Sequence, residues 1–310
     1  MRQVIISGLP RSGTSWVGKA MSFAPGFTYY REPDNSDHVK GAAGREWWYR
    51  YLKAGDDVPQ YSDHMDRALV GKVATKFTMV QNPGPIMRLV PRRFKVIGEV
   101  FPFLYIREPD VVVKLERASL KLDWLAARYP QARIVSLVRH PGGQFLSFKQ
   151  LGWEPEVNWL LSDERLMEEY LSPFADVMRS AKTFWEKAGA FWGAHAYVAL
   201  KQTQNGARHH FVPFEWLCAD GPARLRELSD RLGMTWTAEA QEFAAPGSGV
   251  DGPTYSLRRD SIAQIDKWRK SVEPADIEAC RAFAEPFGLP IYADFDPWKA
   301  EPLWSSAKPE

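Results

Sequence analysis

The segment that most constrains the fold lies at the start of the chain, where a short apolar run meets a glycine-containing loop. Residues 3–7 are rich in β-branched side chains and predict a strand, and residues 14–22 predict a helix that begins with hydroxyl residues. A strand, a glycine turn and a helix form the opening unit of α/β domains that bind an anion at the helix amino terminus. We therefore expect an α/β fold.

Further short apolar runs extend this unit into a sheet. Strands are predicted at 111–114, 134–138 and 209–214, with one more just before Glu32, and helices at 118–129, from Gln144 onward, and at 176–204, 222–232 and 274–283. Such alternation predicts a mostly parallel central sheet flanked by helices. Residues 25–110 are richer in Gly, Pro and aromatic residues, and we interpret them as an irregular cap within a single domain of residues 1–310. The tail after residue 294 is expected to lie over the surface.

Charge and cysteine usage narrow the possible partners. The 40 Lys and Arg residues nearly balance the 38 Asp and Glu residues, which argues against bulk binding of nucleic acid or of an anionic membrane. We find no signal peptide and no run long enough for a membrane span. Two cysteines without metal-ligand spacing favour a cytoplasmic protein. The sequence carries no signal for an oligomeric state.

The glycine loop has the spacing of a nucleotide-binding phosphate loop but lacks its lysine. Gly8 and Gly13 fit that spacing, whereas Thr14 stands where the lysine belongs. This substitution argues against a phosphate-loop kinase of small metabolites, the alternative enzyme, because a kinase uses the lysine to hold the outer phosphates. Arg11 could supply the positive charge instead. An ordinary glycine turn before a helix is the other interpretation.

The segment PRSGTSW resembles the 5′-phosphosulfate loop of sulfotransferases, whose common form is P-[KR]-S-G-[TS]-[TS]-W. That resemblance, to the small bacterial type, implies a phosphate-loop-like sulfotransferase fold that binds 3′-phosphoadenosine 5′-phosphosulfate (PAPS). It implies that Arg11 contacts the sulfate and that Trp16 flanks the adenine. The residues implied to wrap the 5′-phosphate are Ser12, Gly13, Thr14 and Ser15.

A second segment, IVSLVRHPGGQFLSFK, resembles the 3′-phosphate motif of the same family, a strand ending in Arg with a Ser eight positions later. Here these residues are Arg139 and Ser147. An arginine at the carboxyl end of a strand points into the ligand crevice, and the following helix brings Ser147 round to the same phosphate two turns later. The alternative interpretation is that no ligand binds here. Arg139 would then form an ion pair at the surface, and Ser147 would simply occupy one face of the helix.

The predicted strand 111–114 ends in Lys114, with Glu116 two residues later. Cytosolic sulfotransferases have Lys-x-His at this place, so the resemblance implies that Lys114 stabilises the transferring sulfate and that Glu116 replaces the histidine as base. A carboxylate beside a lysine suits a base, although the cation lowers its basicity. Glu32 is the first alternative base, followed by Glu99 and His38. The alternative interpretation is that Lys114 and Glu116 form an ordinary ion pair without a catalytic role.

Two more segments resemble nucleotide-binding parts of the family. Arg258 and Arg259, followed by Lys267-Trp268-Arg269, correspond to a C-terminal basic segment that covers the 3′-phosphate, but the spacing is longer and the glycine is absent. Phe214 takes the place of an adenine-facing tyrosine. The residues thus predict a PAPS-dependent sulfotransferase that needs no metal, releases PAP and acts on a hydroxyl or amine of a small acceptor, ring-bearing or sugar-containing. A non-catalytic nucleotide-binding protein is the remaining alternative.

Overall fold

The computed structural model describes residues 1–37, 39, 42, 44–73, 110–204, 208–245 and 260–304. Within these ranges, five parallel strands form one sheet in the order β2-β3-β1-β4-β5. The strands are β1 (Gln3–Ser7), β2 (Phe27–Arg31), β3 (Asp110–Leu115), β4 (Arg133–Val138) and β5 (His209–Pro213). The predicted α/β fold with a parallel sheet is confirmed.

Helices flank this sheet. They are α1 (Thr14–Met21), α2 (Pro59–Leu69), α3 (Leu122–Arg128), α4 (Pro141–Gln150), α5 (Val157–Ser162), α6 (Ala175–Ser180), α7 (Phe184–Gln204), α8 (Phe214–Ala219), α9 (Gly221–Arg231), α10 (Ala238–Ala244) and α11 (Pro274–Ala284). Shorter helical turns occupy Arg45–Trp47, Glu164–Leu166, Met167–Leu171, Ser172–Phe174, Ile262–Gln264, Lys267–Lys270, Glu285–Phe287, Ala293–Phe295 and Pro297–Lys299. No helix in the described ranges is long and apolar enough to cross a bilayer.

The central strands form where the sequence is continuously apolar. Val4 and Ile5 of β1 lie in register with Val112 and Val113 of β3, and all four are at most 1% exposed. A parallel sheet covered on both faces needs such runs, because neither face meets water. All five strands point the same way, so their carboxyl ends meet at one edge of the sheet, where ligands bind in this architecture.

The predicted helix 176–204 is wrong as a single element. It is divided between α6 and α7, with Ala181 in an extended conformation. A capping box starts the second helix: Glu186 Oε2 accepts hydrogen bonds from the backbone N–H groups of Lys182 and Thr183, and Thr183 Oγ1 accepts one from the N–H of Glu186. The helix predicted at 118–129 likewise begins later, at Leu122.

The predicted cap has a different beginning in the structure. The strand β2 belongs to the central sheet, so the irregular segment starts after it and not at residue 25. Its first part contains α2, and residues 74–109 lie outside the described ranges.

The carboxyl-terminal tail does more than lie over the surface. Leu303 exchanges two backbone hydrogen bonds with Phe211 of β5, and Trp304 packs edge-on against Trp216. An unpaired edge strand exposes backbone groups that can recruit other chains, and a covering segment prevents this. The tail therefore protects one edge of the sheet.

Candidate active site

The phosphate loop turns tightly at the carboxyl end of β1. Arg11 and Gly13 both have a positive φ, 68° and 94°, and Ser12 closes the turn by donating from its N–H and its Oγ to the carbonyl of Leu9. A side chain at Gly13 could not fit, because an added Cβ would lie 2.3 Å from the ring of Phe214. Gly13 precedes α1 and cannot cap it with a side chain, which leaves the first N–H groups of the helix for an anion.

The two predicted phosphate motifs meet in space. Arg11 Nε donates to Ser147 Oγ at 2.8 Å, and Arg139 Nη1 donates to the carbonyl of Arg11 at 3.1 Å. Gln144, on the same helix as Ser147, donates to the carbonyl of Pro10 at 2.8 Å. The sequence predicted that these segments share a ligand, and the structure brings them into direct contact. Their individual roles toward that ligand stay predictions.

Arg139 has an unused donor in this arrangement. Its Nε is buried and makes no hydrogen bond among the described residues. Burial lowers the pKa of its guanidinium from the ordinary value, which measures the cost of holding the charge away from water. A buried cationic donor without a partner is stabilised when an anion is bound beside it.

Two aromatic rings complete this end of the site. Phe214, the first residue of α8, lies beneath the guanidinium of Arg139, 4.8 Å from ring centroid to charge. Trp16 meets Phe214 edge-on, with 5.9 Å between the ring centroids. Trp16, Phe214 and Arg139 thus form a continuous row beside the phosphate loop.

A buried cluster of charges lies at the ends of β2 and β3. Lys114 is 0% exposed, and its Nζ lies 2.5 Å from an oxygen of both Glu32 and Glu116. The parallel register pairs Arg31 with Lys114, so Glu32 follows directly beyond the strand end. There the backbone of Glu32 turns into the left-handed region, with a φ of 55°. The structure therefore unites Lys114 with both of the carboxylates that the sequence named first as bases.

The two carboxylates differ in their surroundings. Burial by itself would raise the pKa of Glu32, but attraction to Lys114 and its hydrogen bond, with Arg31 and Asn35, outweigh it and lower the pKa to about 2. Both oxygens of Glu32 accept hydrogen bonds. The side chain of Glu116 is 17% exposed against 5% for Glu32, and its second oxygen lies 3.7 Å from Arg117. Glu116 is the more accessible of the two.

Residues of the cap and of the segment 159–165 line a cleft of about 560 Å³. The cleft is lined by Glu46, Tyr49, Arg50, Tyr51, Trp159, Ser162, Asp163, Glu164 and Arg165. Tyr49 meets Trp159 edge-on at 5.8 Å, whereas Trp47 stacks on Tyr61 and is 9% exposed. Trp48 lies under the guanidinium of Arg117, at 3.8 Å, beside Glu116. The aromatic cluster 47–51 thus divides between the core and the cleft.

The sequence patterns did not predict several residues of this site. Glu215 is fully buried behind Arg139, and Tyr292 donates to it from far along the chain. Trp192 Nε1 donates to the carbonyl of Arg139 at 2.8 Å. The one available signal was Glu215 itself, a carboxylate directly after an apolar strand, where an unpaired charge could not be buried.

Other predicted residues lie outside the described ranges. These are Arg258, Arg259, Glu99 and His38. Downstream of the first two, Trp268 covers the turn after β4, and a Cβ added at Gly142 would lie 2.7 Å from its ring. No group of three His, Cys, Asp or Glu side chains in the described part of the chain is placed to hold a metal ion.

The fold brings the two motif-bearing loops together at the carboxyl ends of parallel strands, and comparison with known families shows which class of α/β protein this is. Residues 3–238, about three quarters of the chain, match the sulfotransferase family. The protein therefore belongs to the sulfotransferase family. No curated protein sequence matches the chain.

Solved structures with a similar course of the chain are also sulfotransferases. The sulfotransferase domain of the Synechococcus PCC 7002 olefin synthase is 16% identical over 93% of this chain and 95% of its own, with a TM-score of 0.48. Mouse SULT7A1, complexed with PAP, is 12% identical over 92% and 84%, with a TM-score of 0.44. The Alicyclobacillus acidocaldarius sulfotransferase is 16% identical over 93% and 92%, with a TM-score of 0.42.

Proposed function

We propose that this protein, acting as a single domain, transfers a sulfuryl group from PAPS to a hydroxyl or amine of a small-molecule acceptor. The observation that carries the proposal is the contact between the two phosphate motifs, in which Arg11 donates to Ser147 at 2.8 Å and Arg139 donates to Arg11 at 3.1 Å. A donor with separate 5′ and 3′ phosphates needs two adjoining anion subsites. Membership of the sulfotransferase family supports the same donor.

Each donor-site residue then has a physical task. The N–H groups and hydroxyls of residues 12–15 hold the 5′-phosphate at the positive end of α1. Arg139 and Ser147 hold the 3′-phosphate, and the unpartnered Nε of Arg139 gains an acceptor there. Trp16 and Phe214 flank the adenine. We assign Arg258 and Arg259 to the covering of the 3′-phosphate on the motif resemblance alone.

The reaction needs alignment, cations and a base. The acceptor oxygen or nitrogen attacks sulfur as the bond from sulfur to the bridging phosphate oxygen breaks, and PAP leaves with that electron pair. Arg11 and Lys114 stabilise the charge that shifts across the sulfuryl oxygens, as preorganised cations do in phosphoryl transfer. The acceptor proton passes to a carboxylate. The arginines and lysine supply the charge stabilisation, so we expect no metal requirement.

We assign the proton to Glu116 and give Glu32 a positioning task. A carboxylate whose pKa is held at about 2 is a weak base, because base strength follows pKa. Both oxygens of Glu32 are also occupied by Lys114, Arg31 and Asn35. Glu116 accepts from Lys114 through one oxygen, and its other oxygen, which lies 3.7 Å from Arg117 Nη1, is the one that we assign to the acceptor proton. Glu32 then fixes Lys114 from the opposite side.

We place the acceptor in the cleft that Tyr49 and Trp159 line. Tyr49 and Trp159 offer ring faces, and arginine and carboxylate side chains stand around them. Aromatic faces beside polar groups suit a ring-bearing or sugar-containing molecule.

We also place the protein in the cytoplasm, since Cys218 and Cys280 are both buried thiols without a disulfide.

The test is transfer itself. The protein is incubated with PAPS and a metabolite extract, and mass spectrometry follows any compound that gains one SO₃ while PAP accumulates. We expect Arg139→Ala to suppress both signals together. Phosphorylation of a compound from ATP and magnesium, with PAPS inert, would replace this function by the kinase alternative.

A further inference from the structure

A segment outside the family match packs against the second phosphate motif. The match ends at residue 238, yet Tyr292 and Phe295 lie against the ring of His140 at centroid distances of 5.2 and 4.6 Å. Trp268 stacks on the same ring at 5.0 Å. His140 directly follows Arg139, so three late side chains surround the residue next to the proposed 3′-phosphate ligand.

Glu215 links this segment to the motif by hydrogen bonds. One carboxylate oxygen accepts from the backbone N–H of His140 at 3.0 Å, and the other accepts from the hydroxyl of Tyr292 at 2.7 Å. The carboxylate is 1% exposed, and Arg139 is the cation that attracts it. A buried carboxylate that loses a donor keeps its desolvation cost, so each of these bonds constrains the others.

His140 is fixed at both ring nitrogens. Its Nε2 lies 3.0 Å from the carbonyl of Phe295, which can only accept, so Nε2 carries the proton. Its Nδ1 then accepts from the N–H of Gly142 at 3.2 Å. This neutral tautomer ties the carboxyl-terminal segment to the first turn of α4, the helix that carries Ser147.

The backbone of this segment is strained where it meets His140. Asp294 and Phe295 are consecutive non-glycine residues with φ of 57° and 56°. Such conformations persist where the surrounding structure over-determines them, and they recur at functional sites. Here Lys299 pairs with Asp294, and the turn aims the carbonyl of Phe295 at His140.

We infer that Tyr292 and Glu215 are positioning residues that hold Arg139 and the start of α4 in place for the 3′-phosphate. This rests on the proposed donor. From the other side, Trp192 fixes the carbonyl of Arg139. The backbone at residues 139–142 is therefore held by Glu215, Phe295 and Trp192 together. Glu215 and Trp192 hold residues 139 and 140 directly, and the 5′-phosphate loop is reached one contact further on, through Arg139 and the carbonyl of Arg11. The larger effect should therefore fall on the 3′-phosphate.

The experiment compares two phenylalanine variants by calorimetry with PAP and with AMP, which lacks the 3′-phosphate. Tyr292→Phe removes the donor to Glu215. Tyr129→Phe is the matched control, because it removes a tyrosine hydroxyl that donates to Asp66 at 2.8 Å, near the amino end of β4. We expect Tyr292→Phe to weaken PAP binding about tenfold and AMP binding less than about twofold, since a hydrogen bond to a charged group is lost. Tyr129→Phe should change neither.

The outcomes separate this inference from the proposed function. If the wild-type protein binds PAP and AMP equally, the proposed donor is wrong. Suppose that the wild-type protein prefers PAP. If Tyr292→Phe then leaves both affinities unchanged, or lowers the affinities for PAP and AMP by the same factor, the positioning role is wrong. Glu215→Gln provides a second test should Tyr292→Phe not fold. It retains an acceptor for the N–H of His140 but removes the charge beside Arg139, and it should also reduce the ratio of PAP to AMP affinity.

Discussion

The donor side and the acceptor side of this site are built in different ways. On the donor side, backbone groups and short motifs at the ends of β1 and β4 contact one another directly, as Arg11 and Ser147 do. On the proposed acceptor side, a buried cation, Lys114, joins two carboxylates at the ends of β2 and β3. In the function that we propose, the first arrangement serves the two phosphates of the donor and the second serves the proton and the charge at the acceptor.

The largest effect is expected on the acceptor side. Glu116→Gln should lower kcat by about 10²–10⁴-fold, the usual contribution of a general base, while the affinity for PAP stays unchanged. Gln is nearly isosteric and can still accept a hydrogen bond from Lys114. Steady-state kinetics with an identified acceptor, together with PAP calorimetry, measures both quantities.

Glu32→Gln is the comparison for that experiment. Its effect on kcat should be much smaller, because Glu32 orients Lys114 and takes no proton in this account. An inactive Glu32→Gln beside a nearly normal Glu116→Gln would exchange the two roles. Full activity of both variants would mean that the acceptor needs no base.

On the donor side, Arg139→Ala should cost about 2–4 kcal/mol of PAP binding, since a buried charge-assisted partner of the ligand is removed. AMP binding should fall less, since AMP loses only the support that Arg139 gives to the carbonyl of Arg11 and to the ring of Phe214. Arg133→Ala, at the opposite end of the same strand, serves as the control and should leave both affinities unchanged. Equal losses for PAP and AMP in Arg139→Ala would show that Arg139 does not distinguish the 3′-phosphate.

Acid should weaken the fold before it discharges Glu32. Burial lowers the pKa of four histidines to about 3 or 4, and these are His140, His195, His209 and His210. Unfolded, each would bind a proton near pH 6.5, so their stabilising effect is complete above that pH and is lost as the pH falls toward 4. Burial raises the pKa of Asp34 to about 6 and also raises that of Glu215, and these two groups act in the opposite sense. They stand against five histidines, because burial lowers the pKa of His64 as well.

Glu32 stays ionised over the same interval, because its pKa is about 2. We therefore expect the Tm to fall by several degrees between pH 7 and pH 4.5. Calorimetric scans at these two pH values test it. A Tm that is constant or rises on acidification would mean that these histidines are not held neutral.

The smallest effect should follow metal removal. Since arginines and a lysine supply the charge stabilisation in our account, turnover measured with and without EDTA should be the same. Activity that disappears in EDTA and returns with magnesium would favour kinase-like chemistry and would set aside the roles given to Arg11 and Lys114.

The sequence predicted the donor side better than the acceptor side, for physical reasons. Strands β1, β3 and β4 were placed to within about a residue, because parallel strands covered on both faces are continuously apolar. Short motifs at their ends then located Arg11, Arg139 and Ser147. The division between α6 and α7 was missed although Thr183 and Glu186 have capping-box spacing, since the apolar pattern continues across the break.

Contacts between distant segments could not be predicted from local patterns. Glu215 and Tyr292 are 77 positions apart, and no periodicity connects them. The position of Glu32 on Lys114 depends on the pairing of β2 with β3 and on a left-handed backbone at a glutamate. Such a conformation is uncommon for a residue with a side chain, and the sequence gives no signal for it.

A donor site for two phosphates is tested directly by calorimetry of the wild-type protein with PAP, AMP and ATP with magnesium. We predict that PAP binds more tightly than either of the others by at least about tenfold, because only PAP places a phosphate on Arg139 as well as on the Arg11 loop. Equal affinity for PAP and AMP, or tightest binding of ATP with magnesium, would contradict the account.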